Sequence, residues 1–142
     1  MEKIEVVAAI IHHDGKILAT QRGYGEFKDG WEFPGGKVEP GETPRQAIVR
    51  EIREELEVTI RPERLVTTVE CDYPKFHLTM HCFLASVAEG CITLLEHEAA
   101  KWLRKDELDS VAWLSADATV VKKLKQSLEI GDAYAKELSA KI

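Results

Sequence analysis

Positive charge is scarce in this sequence: 19 lysines and arginines face 25 acidic residues, for a formal net charge of −6. Binding along a nucleic-acid backbone relies on many Lys and Arg side chains neutralising phosphates, so a nucleic-acid polymer is not an expected partner. Any phosphate the protein handles is expected to be small or metal-bridged. Cysteine is equally sparse. Cys71, Cys82 and Cys91 are unequally spaced, form no C-x-x-C pair and leave one over if a bridge forms. No disulfide framework is implied, and the three are expected to be buried, reduced thiols, since free Cys packs as a small hydrophobe. His12, His13, His77, His81 and His97 lack a metal-ligand spacing; His77 and His81 read as one face of a strand, and no histidine is assigned a catalytic role. No apolar run approaches the roughly 18 residues of a membrane span, and the start, MEKIEVVAAIIHHDG, has an acidic residue and no cleavage-like site. The expectation is no membrane partner and a reducing cytoplasm.

What is present is the balance of one globular domain, residues 1–142, with 44% hydrophobic and 31% charged residues. Residues 4–11, IEVVAAII, read as a strand that turns at Asp14-Gly15, a hairpin signal, into a second strand over Lys16 to Gln21. Residues 23–30, GYGEFKDG, read as a mobile surface loop. After the stretch WEFPGGKVEPGE a helix is expected over Pro44 to Glu57, with Thr43 as N-cap, Pro44 at the first helical position and Gln46 closing a capping box. Ile48, Val49, Ile52 and Leu56 form its apolar stripe, with Arg50, Glu51, Glu54 and Glu55 mostly opposite. Strands are expected over Arg64 to Glu70, Leu78 to Val87 and Ala100 to Leu103, with turns at Tyr73-Pro74-Lys75 and Glu89-Gly90. A last helix starts at Ser115, read as its cap, with Val120, Val121, Leu124 and Leu128 as its stripe. Trp31, Trp102 and Trp113 read as core rather than as base-stacking platforms. The order of elements predicts an α+β fold with a sheet between helices.

The informative segment is GGKVEPGETPRQAIVREIREELEV, residues 35–58. Glu51, Glu54 and Glu55 stand at i, i+3 and i+4, which gathers three carboxylates within one helical turn. Each such pair repels by about a few tenths of a kcal/mol in water and by more when partly buried, so the cluster needs a compensating cation or full solvation. A run such as REIREE also occurs on ordinary solvated helix faces; its context here, Gly35-Gly36 followed by Glu42 and a capped helix, argues for a site. A Gly-Gly turn lets backbone approach a ligand closely and aims carbonyls or amides at a metal–phosphate centre. Hard oxygen donors without thiolate or paired imidazole select Mg²⁺, or Mn²⁺. Arg50 reads either as the i, i+4 partner of Glu54 or as the orienter of a catalytic glutamate, and the carboxylate cluster favours the second.

On these residues the sequence resembles the Nudix hydrolases, whose signature is G-x5-E-x7-R-E-U-x-E-E-x-G-U with U bulky and aliphatic. Gly36, Glu42, Arg50, Glu51, Ile52, Glu54, Glu55 and Val58 meet eight of its nine defined positions. The exception is Glu57, where the family has a Gly that ends the helix in a left-handed turn. Glu57 must adopt that turn at about 1–2 kcal/mol or let the helix end differently. The opening VVAAII…DGKIL..QR, the WEFPGGKVE entry and the segment from Glu96-His97 to Trp102 extend the likeness over Ile4 to Lys125 and resemble the MutT-type branch with its pyrimidine-nucleotide relatives.

The resemblance implies an α/β/α sandwich with a mixed central sheet. It implies metal ligation by Glu51, Glu54, Glu55, the Gly36 carbonyl and a loop carboxylate, Glu96, with Glu98 the competing choice. Arg22 and Lys37 would meet phosphates, and Phe33 would also touch substrate. The implied reaction is (d)NTP plus water to (d)NMP plus pyrophosphate by attack at the β-phosphorus. Glu54 is the first choice of base, with Glu51 or Glu96 as alternatives, and Arg50 orients. Oxidised nucleotides such as 8-oxo-dGTP are the expected substrates; the alternatives are (d)CTP or a modified pyrimidine nucleotide, or another nucleoside diphosphate derivative. Asp117 matches a place where the branch has an Asn or Asp that reaches the base; otherwise it is a helix-start acid favoured by the macrodipole. If ionised it offers only acceptors, which suits an exposed amino group. Monomer and homodimer are both compatible with the sequence.

Overall fold

A computed structural model describes residues 2–93 and 97–129. Strands β1 (Glu2–His13) and β2 (Lys16–Arg22) form the expected hairpin, with Asp14 and Gly15 both at positive φ, 52° and 73°. Two turn residues at positive φ match the twist of the flanking strands. Within the 31–42 stretch, where the sequence showed no element, lie two short strands, β3 (Trp31–Glu32) and β4 (Gly35–Lys37). Two or three residues carry too little alternation to betray a strand. Helix α1 (Pro44–Leu56) starts with the full Thr43–Gln46 capping box and is ended by Glu57 in the left-handed region, φ 57° and ψ 31°, whose N–H donates to the Arg53 carbonyl. Glu57 therefore takes the strained option.

Strands β5 (Thr59–Asp72), β6 (Phe76–Glu89) and β7 (His97–Leu103) each run longer than the sequence suggested. Pro62 and the charged residues around it obscured the start of β5; it is an edge strand with bulges at Pro62/Arg64, where a missing N–H is tolerated. A 3₁₀ turn (Lys105–Ser110) precedes α2 (Ser115–Glu129). Ser115 lies inside α2 rather than capping it, because the Leu114 carbonyl already accepts the first helical bond, from Ala118 N.

The strands run in the order β3-β2-β1-β6-β5, with β1 and β6 parallel from Glu2 opposite Phe76 to Ile11 opposite Ala85. α1 covers the face carrying Val7, Ala9, Ile11, Phe83 and Ala85. α2 covers the face carrying Ala8, Ile10, Met80, Cys82 and Leu84. β1 is thus buried on both sides, which is why its sequence is continuously apolar rather than alternating. This is the α+β sandwich with a mixed sheet between helices. β1 pairs with β2 only at His12 and His13, and further back its edge is taken by β4, with Gly36 opposite Val7. That insertion requires glycine, since a Cβ on Gly35 would lie 1.9 Å from the Val7 carbonyl oxygen.

Other expectations need correction. Only Cys82 is buried; Cys71, near the end of β5, is half-buried, and Cys91, in the segment after β6, is exposed. Trp102 is 38% exposed rather than core, on β7, which among the described residues pairs only with β2. Residues 23–30 do form a surface loop, its ends held together by Arg22 N donating to Gly30 O, Asp29 N to Arg22 O and Gln21 Nε2 to Asp29 O. Among the described residues no helix is long and apolar enough to cross a membrane.

Candidate active site

The capping box fixes where α1 begins, and with it the direction of Arg50. This guanidinium donates five hydrogen bonds: Nε to Glu42 (2.6 Å), Nη2 to Glu42 (3.0 Å) and to the Lys37 carbonyl (3.0 Å), and Nη1 to Glu51 (3.0 Å) and Glu54 (3.2 Å). The i, i+4 pair with Glu54 exists, but it is one bond among five, and the forked bond to Glu42 dominates. That bond holds the Glu42 carboxyl below its usual range and Arg50 above its own. Arg50 thus ties the β4 end, the Glu42 turn and the helix into one unit.

Glu51 is mostly shielded and lies against β4: a Cβ on Gly36 would fall 2.3–2.7 Å from its carboxylate atoms. Glu54 is exposed. Glu55, expected on the solvent side, is 8% exposed, because it borders the apolar stripe beside Leu56 and lines a cavity shared with Arg22, Glu32 and Gly35. Among the described residues no three carboxylate, imidazole or thiol groups converge as a ready-made cation cage. Glu51 and Glu54 are drawn to Arg50 instead. Glu96 lies outside the described residues, and nothing is described of the Glu98 side chain. Lys37 is exposed at the end of β4; its carbonyl serves Arg50.

Next to Gly35 and Gly36 opens a cavity of about 330 Å³. Phe33 and Trp113 stack within it, 4.7 Å between centroids. Trp113, read from sequence as core, is half-buried: it packs against the core cluster and also lines this cavity. Asp117 lies at the cavity, 6% exposed, with Oδ1 accepting from Phe33 N at 2.9 Å. Burial pushes its carboxyl up to about 7, and the Glu32 charge adds to the effect. Arg22 donates to Glu32 at 2.6 Å and to the Glu26 carbonyl; burial opposes its charge, but the Glu32 bond keeps its pKa above the ordinary value. Glu32, Phe27, Tyr73, Phe76, Leu78 and Met80 also line the cavity and were not singled out from sequence. Phe76, Leu78 and Met80 alternate along β6, a pattern visible in the chain, but nothing local marks Tyr73 or Trp113.

The NUDIX domain profile matches residues 1–127. The chain belongs to the Nudix family. Its relatives include the CTP pyrophosphohydrolase of Escherichia coli K12, 42% identical over 108 residues, which are 75% of this chain and 80% of that protein. The 8-oxo-dGTP diphosphatase of the same organism is 33% identical over 128 residues, 89% of this chain and 99% of that one. The solution structure of the E. coli ORF135 protein matches the fold with a TM-score of 0.78 and 37% identity, covering 91% and 92% of the two chains. As a Nudix hydrolase the protein acts on phosphorus anhydrides.

Proposed function

We propose that this Nudix hydrolase is a Mg²⁺-dependent nucleoside triphosphate pyrophosphohydrolase, converting (d)NTP and water to (d)NMP and pyrophosphate and clearing oxidised nucleotides such as 8-oxo-dGTP. The observation that carries this reading is one cavity whose lining includes the stacked Phe33–Trp113 pair and Asp117 together with Gly35 and Gly36, where the Nudix box begins. A nucleotide needs both kinds of surface, one for its base and one for its phosphate chain.

The residues present fit a hard divalent cation. All side-chain donors are carboxylates, and Gly36 leaves open the space beside Glu51 that any side chain would fill. Glu51, Glu54, Glu55 and the Gly36 carbonyl are assigned as its holders, with Glu96 completing the set. When bound, Mg²⁺, or Mn²⁺ in its place, offsets phosphate charge and lowers the pKa of a nearby water. Glu54, exposed but restrained by Arg50, is assigned as general base. Arg50 limits the rotamers of Glu51 and Glu54 before substrate arrives. Arg22 and Lys37 are assigned to the phosphates, and Phe33 and Asp117 to the base.

The Asp117 carboxyl keeps its proton up to about pH 7. Below about pH 7 the protonated carboxyl both donates and accepts, unlike the ionised acid considered from sequence. Such a group pairs with an edge that presents a donor beside an acceptor, as N7–H and O6 of 8-oxoguanine do. Guanine presents two acceptors there and is disfavoured. Cytosine, with N4–H beside N3, offers the same pattern, and this with the 42% identical CTP pyrophosphohydrolase supports (d)CTP as the second reading. The enzyme is assigned to a reducing cytoplasm, with residues 1–142 working as one domain, as monomer or homodimer.

Phosphate release from a panel of nucleoside triphosphates, dinucleoside polyphosphates and nucleotide sugars, with and without Mg²⁺, tests the reading. Heavy-oxygen water is expected to label pyrophosphate; label in the monophosphate would move the attack to the α-phosphorus. Hydrolysis that survives a chelator would remove the metal from the account.

A further inference from the structure

The β5–β6 turn supplies one wall of the cavity. Tyr73 and Phe76 both line it, their rings stacked at 4.8 Å, and Phe27 from the 23–30 turn meets Tyr73 at 6.2 Å. The turn is closed by Tyr73 N donating to Phe76 O at 2.8 Å. The first residue pair outside it is Asp72 opposite His77. His77 lies 2.6 Å from Asp72 through Nδ1 and 3.3 Å from Glu70 through Nε2. Carboxylates only accept, so both contacts are satisfied together only when each ring nitrogen carries a hydrogen. The bridge is complete for the imidazolium and half-made for the neutral ring.

We propose that His77 is a positioning residue for substrate binding: as an imidazolium bridging Asp72 and Glu70 it holds the β5–β6 turn in the conformation that presents Tyr73 and Phe76 to the nucleobase. This rests on the nucleotide reading of the cavity. The charged groups facing His77 are Asp72 and Glu70 on β5, and on β1 Lys3, directly opposite, with Glu5 two pairs further along. The hydrogen bond to Asp72, then that to Glu70, keeps the His77 pKa above its ordinary value, so the bridge is intact in mildly acid solution and fades as pH rises. Nothing on His77 touches the box glutamates, so its effect belongs to binding and not to the chemical step.

The test is the pH dependence of KM and kcat in wild type, His77→Gln and His77→Arg. At pH 6 the Gln variant, which cannot bridge two carboxylates with a charge, is expected to raise KM about three- to tenfold with kcat within about twofold. Wild-type KM should climb toward the Gln variant's as pH rises through the His77 titration, whereas the permanently charged Arg variant stays low. The Asp117 titration is common to all three and cancels in their ratios. His81→Gln, removed from the turn and bonded to Glu5 and Thr68, is the control and should leave KM unchanged. Equal KM in wild type and His77→Gln at pH 6, or a loss carried by kcat, would overturn the proposal. Hydrogen exchange at the Tyr73 amide, which closes the turn onto Phe76 O, is expected to be faster in His77→Gln at pH 6 and gives a readout free of substrate. If no nucleotide is hydrolysed by wild type, the proposed function falls while this exchange still decides the role of His77.

Discussion

The box helix and the nucleoside cavity are built in opposite ways. Apart from Glu96 and Arg22, the groups assigned to the anhydride chemistry are near neighbours in sequence, from Gly36 to Glu55, held by one capped helix and one arginine whose five bonds all stay within that segment. The cavity takes Arg22, Phe33, Tyr73, Phe76, Trp113 and Asp117 from strands, turns and a helix that meet only in the fold. A local site fails sharply when one group moves, because every group constrains the next. A distributed site shares its task, so single changes should alter selectivity or affinity more than the capacity for catalysis.

That contrast breaks or sharpens in mutants. The largest loss is expected for Gly36→Ala, whose Cβ would sit 2.3–2.7 Å from the Glu51 carboxylate atoms and drive it from its place; kcat should fall at least about a hundredfold. Glu55→Gln should cost as much, yet unfold at the same or a slightly higher denaturant concentration, since it removes a like charge from the cluster. Full activity in either variant would strike that residue from the metal-holding set.

Asp117→Asn probes the distributed site. The ratio of kcat/KM between cytosine and oxidised-guanine nucleotides should change roughly tenfold, with the metal requirement unchanged. Uniform slowing across the panel would mean that Asp117 does not read the base. Stability supplies a second readout. The folded state keeps the Asp117 proton to about pH 7 against an ordinary pKa of 3.8. Between those values it binds a proton that the unfolded chain has released, so its contribution is lost as pH rises from about 4 through about 7. The change is on the order of 2–4 kcal/mol, and denaturant unfolding at pH 5 and pH 8 should show it in wild type and not in Asp117→Asn.

The smallest effect is expected at the end of the box helix. Glu57→Gly relieves a left-handed residue at φ 57° and should raise stability by about 0.5–1 kcal/mol in thermal melts, with kcat unchanged. Destabilisation would show that the Glu57 side chain contributes more than its backbone strain costs.

The legible parts of the chain are those with local causes. The Asp14-Gly15 hairpin, the Thr43–Gln46 box and the apolar stripe of α1 follow from turn chemistry, side-chain capping and helical period, none of which needs a distant partner. Glu55 was misplaced because helical spacing assigns a residue to a face but not to what covers that face. β3 and β4 escaped because they are too short to show a period and exist only where β1 and β2 present free edges. Trp113 read as core because hydrophobicity does not distinguish a buried ring from one lining a cavity.

By itself the sequence determined the family, the capped helix and the clustered carboxylates, since those arise from contacts between near neighbours whose geometry one helical turn dictates. Only the tertiary structure decided that Arg50 binds Glu42 before Glu54, that Asp117 is buried against Phe33 N with its carboxyl pushed well above the usual range, and that Tyr73 and Phe76 face the same cavity as Trp113. Burial, desolvation and cavity shape depend on residues far apart in the chain arriving together, and no local pattern encodes that meeting.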